Sequence, residues 1–118
     1  MSYVDGFVVP VPKDKVEAYR QLATTAGQVW REHGALEYRE CIADDVQVGV
    51  LTSFPRSVQL KDDEVVVFAW ITYESRQHRD MVNAKVMADP RIAGMDTEGM
   101  PFDSKRMIWG GFETLVQA

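Results

Sequence analysis

A four-stranded antiparallel sheet carrying two helices on one face is the fold this sequence predicts, and three observations predict it. The stretch Val65 to Tyr73, VVVFAWITY, is β-branched and aromatic throughout and apolar on both alternating faces, as a central strand requires. From Lys13 to His33 the residues Val16, Tyr19, Leu22, Ala23, Ala26, Val29 and Trp30 recur at steps of three and four, which makes one apolar stripe of a long helix. A second, shorter helical pattern follows the central strand, and the order of elements through the chain is strand, helix, strand, strand, helix, strand.

Tyr3 to Val11 reads as the first strand. Tyr3, Phe7 and Val9 share one face with Asp5, and Val4, Gly6 and Val8 share the other. Pro10 and Pro12 end it, because proline has no amide to donate and biases its predecessor toward extended geometry. The first helix stops at Gly34, the residue type best suited to a left-handed cap. Ala35 to Ile42 is the second strand, with Leu36, Tyr38 and Ile42 on one face beside Glu40, and Glu37, Arg39 and Cys41 on the other, a polarity that suits a sheet edge.

The connection from Ala43 to Glu64 is long for a small domain. Within it Val46, Val48 and Val50 suggest a short extended piece, and Thr52-Ser53-Phe54-Pro55 suggests a capped helical turn reaching Leu60. Ser75 is positioned to cap the second helix, whose inner stripe reads as His78, Met81, Val82, Lys85 and Val86, and Pro90 to terminate it. The last strand lies in Met107 to Leu115, where both faces are apolar, and Gly110-Gly111 within it marks a bulge or a close approach, with the bulge preferred.

This element order is that of a ferredoxin-like α+β domain. Phe7, Phe68 and Trp70 on the helix-free face would leave an apolar patch larger than a monomer tolerates, so two sheets are expected to pack face to face in a homodimer.

At 118 residues, 46% apolar and 26% charged, the chain fits one ordinary domain, residues 1–118. No run is apolar enough to span a membrane and the amino terminus does not resemble a signal peptide, so no membrane partner and a cytoplasmic location are expected. A net charge of −5, hence −10 for two chains (twice −5), opposes nucleic acid, and the basic residues Arg76, Arg79 and Lys85 are interrupted by Asp80. Cys41 is the single cysteine; with His33 and His78 it makes no metal spacing, and neither a metal nor a cofactor is expected. It reads as a small buried hydrophobe, and core packing accounts for Trp30, Trp70 and Trp109.

The segments TSFPR (Thr52 to Arg56), EVVVFAWITYESRQHRD (Glu64 to Asp80), KVMADPR (Lys85 to Arg91) and MPFDSKRMIWGGFE (Met100 to Glu113), with the opening YVDGFVVPVPKDKVEAYR, resemble the YbaA-like family, domain of unknown function 1428. The resemblance covers essentially the whole chain. It implies the dimeric α/β barrel version of the ferredoxin-like fold and carries no activity, because the family is uncharacterised.

Candidate site residues follow from topology. The long connection, the end of the second helix and the start of the last strand are expected at one pole, where Phe54, Pro55 and Arg56 would meet Asp89, Arg91, Asp103, Lys105 and Arg106. In one reading these form a pocket for a small aromatic or carboxylate molecule, an arginine supplying the fork. In the other they are salt bridges pinning two loops. Arg56, Asp103 and Arg106 are expected to lie together in either case. His78, in the first turn of the second helix, is the weak candidate for a catalytic base, against packing under that helix. His33 at the end of the first helix is well placed as a cation. Two functions from different classes remain: a small-molecule-binding barrel, including a cofactor-independent enzyme, and a non-catalytic dimeric interaction module.

Overall fold

The computed structural model describes residues 2–95 and 99–118. Four strands, β1 (Tyr3–Pro12), β2 (Glu37–Ile42), β3 (Glu64–Tyr73) and β4 (Ile108–Glu113), form one antiparallel sheet in the order β2-β3-β1-β4. The central pair runs in unbroken register from Tyr3 opposite Tyr73 to Pro12 opposite Glu64. The predicted edge strand β2 is at an edge, and the doubly apolar β3 is central.

Helix α1 (Val16–Glu32), preceded by a 3-10 turn over Lys13–Lys15, and helix α3 (Arg76–Ala88) lie on one face. They pack Tyr19, Val29, Val82 and Val86 against Tyr3, Val9, Val67, Ile71 and Tyr73. Gly34 takes φ +117°, the left-handed stop its position demands. Ser75 caps α3, its hydroxyl accepting from the His78 amide at 3.0 Å. The inner stripe of α3 differs from its sequence reading. Met81 and Lys85 are exposed, whereas Arg79 and Asn83 turn inward to polar partners held by the sheet and α1. Pro90 does not simply terminate α3; it opens the one-turn helix α4 (Pro90–Ala93), capped by the Asp89 carboxylate accepting from Arg91 N–H at 2.9 Å.

The other sheet face is partly covered by the chain itself. The expected turn in the long connection is helix α2 (Phe54–Ser57), capped by Ser53, and the residue after it, Val58, closes over Val8 and Val66. Val46, Val48 and Val50 form no strand and are exposed. Phe7 belongs to the helix-side core, not to the open face. What remains on that face is a shallow apolar hollow lined by Val4, Phe68, Trp70, Ile108 and Phe112. Trp109 and Phe112 are 61% and 63% exposed, so β4 is not covered on both sides and Trp109 is not a core residue. Cys41, opposite Phe68, is likewise exposed.

Gly110 and Gly111 make no bulge, since β4 keeps one-to-one register with β1 from Ile108 opposite Val8 to Glu113 opposite Tyr3. The close-approach reading holds: a Cβ at Gly111 would lie 2.3 Å from the Tyr3 hydroxyl, which crosses the strand there. Among the described residues no helix is long and apolar enough to cross a membrane.

Candidate functional site

Between the sheet and the helices lies a cavity of about 220 Å³. Phe7, Val9 and Ile71 make its floor, α1 contributes Leu22, Ala23 and Ala26, and Met95, Met100 and Phe102 close one end. Small residues leave the space: Ala23 and Ala26 face it from α1, and Ala69 from β3. No arginine or lysine lines it among the described residues, and its one carboxylate is that of Glu40.

Glu40 projects inward from β2 opposite Ala69. Its Oε1 accepts the Tyr19 hydroxyl proton and its Oε2 that of Tyr38. Burial, then the adjoining Glu40 charge, pushes both phenols far above the ordinary tyrosine range, so both stay protonated donors. Tyr38 is held by Trp30, ring centroids 6.1 Å apart, and by the backbone at Gly27, where a Cβ would come within 2.9 Å of its ring. The same Tyr-Glu-Tyr bar forms the inner wall of an outer groove between α1 and β2, bordered by Gly27, Arg20 and Cys41. Glu40 therefore stands between an apolar interior and a groove open to solvent.

The sequence-derived candidates lie elsewhere. Arg106 meets Asp103 at 2.8 Å as expected, and it reaches the long connection by donating to the carbonyls of Val58 (3.2 Å) and Gln59 (3.0 Å). Its dominant partner is Glu64, held through both carboxylate oxygens at 2.8 and 2.6 Å. With four of its five N–H donors committed, the fork is a structural tie between loop and strand rather than an open anion site. Arg56 does not join this cluster. Its guanidinium donates to the carbonyls of Val48 and Gly49 at 3.0 and 3.1 Å and closes the loop before α2. Lys105 takes part through its backbone amide, which donates to Asp103 at 2.9 Å. Phe54 packs edge-on against Phe68, centroids 5.6 Å apart, on the helix-free face. Asp89 and Arg91, expected beside Asp103, sit against the end of α1, where Asp89 meets His33 at 2.9 Å and Arg91 meets Glu32 at 2.6 Å.

His78 is occupied rather than poised. Its Nδ1 accepts the Glu74 amide proton at 3.0 Å and its ring packs edge-on against Tyr73. A nitrogen whose lone pair is already committed is a poor base. Asp5, Arg79 and Tyr3 form a second buried polar cluster, and Glu64, Asp5 and Glu40 are inward carboxylates that the sequence reading does not single out as site residues.

Fold and cavity together define a ferredoxin-like α+β domain with a pocket between sheet and helices. The chain belongs to the family described as "Protein of unknown function (DUF1428)", which matches residues 2–104. It is 51% identical to the uncharacterized protein YbaA of Escherichia coli K12 over 116 residues, covering 98% of each chain, and equally so to YbaA of Shigella flexneri. Among solved structures it resembles Rv0793 from Mycobacterium tuberculosis, with TM-score 0.60 and 13% identity over 100% of this chain and 99% of that one. The de novo designed protein Foldit4 matches with TM-score 0.50 and 9% identity over 97% and 99%. At these identities the likeness concerns the fold.

Proposed function

We propose that this protein is a homodimeric cytoplasmic α/β barrel that binds a compact, uncharged, largely apolar molecule in the cavity beneath α1. The observation that carries this reading is an apolar cavity of about 220 Å³ whose wall, among the described residues, holds one carboxylate. An apolar cavity of about 150 Å³ is enough to take up benzene, so a substituted ring fits. Charge narrows the class. A ligand carboxylate about 4 Å from Glu40 would meet a repulsion on the order of 4 kcal/mol, and among the described residues no cation lines the cavity to offset it, which favours neutral aromatic ligands over the acids. An exposed free thiol at Cys41 suits a reducing compartment.

A thermal-shift panel of indole, 2-naphthol, 2-indanone and benzoate tests the reading. At a hundred times its Kd a neutral ligand stabilises by about 2.7 kcal/mol, a melting shift on the order of 10 °C for a domain of this size. Benzoate should give none. Filling the space with Ala26→Leu should abolish the neutral shifts while leaving the protein folded; shifts that survive it would place binding outside the cavity.

The homodimer is supported by the open face, where Phe68, Trp70, Ile108 and Phe112 form a contiguous apolar surface. Light scattering should give twice 13.4 kDa, and Phe112→Lys combined with Phe68→Lys should return the mass to 13.4 kDa. A wild-type monomer at micromolar concentration would refute the dimer. The second reading, a non-catalytic interaction module, rests on this same face and is favoured if the dimer forms and the whole ligand panel is silent.

A further inference from the structure

Glu40 is the one charged side chain in the cavity wall among the described residues. A site meant only to hold an apolar molecule has no need of a carboxylate, and turning a half-buried one toward an apolar space carries a desolvation cost. Glu40 occupies an inward position opposite the smallest side chain on the inner face of β3, with each carboxylate oxygen receiving one tyrosine O–H and each retaining a lone pair. Tyr38 is fixed for this task by the missing side chain at Gly27 and by Trp30, which is itself tied to Asn83 of α3 by a 3.1 Å hydrogen bond from its indole N–H. One side of Glu40 faces the cavity and the other the solvent groove between α1 and β2.

We propose that Glu40 is the proton acceptor of a cofactor-free enolisation, and that the bound molecule is a neutral enolisable ketone or aldehyde with a small apolar body. This rests on the cavity reading above. The C–H bond beside the carbonyl breaks, its electron pair remains in the ligand as an enolate, and the proton goes to a Glu40 carboxylate oxygen. Once protonated, Glu40 no longer needs both tyrosine donors, and one phenolic O–H turns to the enolate oxygen. Where the ligand carries a β,γ double bond, return of the proton from Glu40 to the γ-carbon of the dienolate completes an isomerisation; return to the same carbon, after exchange through the groove, replaces hydrogen by solvent deuterium. No oxidant or second substrate is consumed. Glu40 is the catalytic residue, and Tyr38 and Tyr19 position it and stabilise the oxyanion.

The test uses 2-indanone in heavy water, with its binding followed by saturation-transfer NMR and exchange of its α-hydrogens by proton NMR. Wild-type protein should accelerate exchange over buffer, and Glu40→Gln should bind 2-indanone comparably while losing about a hundredfold or more of the acceleration. Tyr38→Phe should shift the midpoint of the pH profile for exchange, a change that a merely structural tyrosine would not produce. If 2-indanone binds but wild type exchanges it no faster than buffer, or Glu40→Gln exchanges it at the wild-type rate, the proton-acceptor role is overturned and the cavity reading stands. Absence of 2-indanone binding to the wild type overturns this inference, and a silent panel of indole and 2-naphthol beside it removes the cavity reading as well.

Discussion

Arg79→Met should cost about 3–5 kcal/mol at pH 7, because it strands a buried carboxylate. Asp5 is 2% exposed on the inner face of β1, and the Arg79 Nη1 lies 3.4 Å from its Oδ1. The same guanidinium donates to the Tyr3 hydroxyl at 3.1 Å and lies over the Tyr3 ring. Tyr3 in turn occupies the space that Gly111 leaves free. Methionine keeps most of the stem's packing, so the loss reports on charge and hydrogen bonding. Asp5→Asn added to Arg79→Met should recover much of the stability, since the uncompensated charge is then gone.

The pH dependence of that penalty has a definite sign. Burial pushes the folded Asp5 carboxyl above its ordinary value of 3.8, with Arg79 pulling in the opposite direction. A raised folded pKa means that the native state holds its proton to higher pH than the unfolded chain. Asp5 thus contributes most below its unfolded pKa and progressively less as pH rises through its folded one. Removing Arg79 raises the folded pKa further and widens that window. Urea unfolding should therefore show a larger Arg79→Met penalty at pH 7 than at pH 4. An equal penalty at both would mean that Asp5 carries no uncompensated charge.

The sheet was legible because its signals were local. Eight apolar residues in the nine from Val65 to Tyr73 can be buried on both faces only at the centre, and the step of three and four in α1 specifies which side meets the sheet. The site was less legible because it depends on which carboxylates point inward. Asp5 and Glu40 each share a strand face with apolar residues, and that misfit of a charge on an inward phase was visible in the sequence. Their partners, Arg79 more than seventy residues away and Tyr19 on another element, were not. Clustered loop charges point instead to Arg56, Asp103 and Arg106 as one group. Topology rightly brought the last two to the segment after α2. It could not say that the Arg56 side chain would turn back to Val48 and Gly49, because loop carbonyls also accept from a guanidinium and their positions depend on the folded loop.

Arg106→Met should cost about 3 kcal/mol at neutral pH, while Arg56→Met costs under about 1 kcal/mol, and the contrast separates the tie from the loop closure. Glu64 is 6% exposed at the start of β3 and depends on Arg106 through two parallel hydrogen bonds; removing the arginine leaves that charge with the Lys61 amide, 2.8 Å away, as its remaining donor among these contacts. Arg56 donates to exposed carbonyls, which water can serve in its place. The acid limb gives the second check. The hydrogen bonds from Arg106 hold the folded Glu64 carboxyl below its ordinary 4.5, so its contribution is complete above the unfolded pKa and is lost as pH falls through the folded one. In Arg106→Met that acid-labile contribution is absent, and the stability gap from wild type should narrow steadily as pH is lowered below about 4.5. A gap that stayed constant to pH 3 would mean that Arg106 stabilises the fold through the Val58 and Gln59 carbonyls alone.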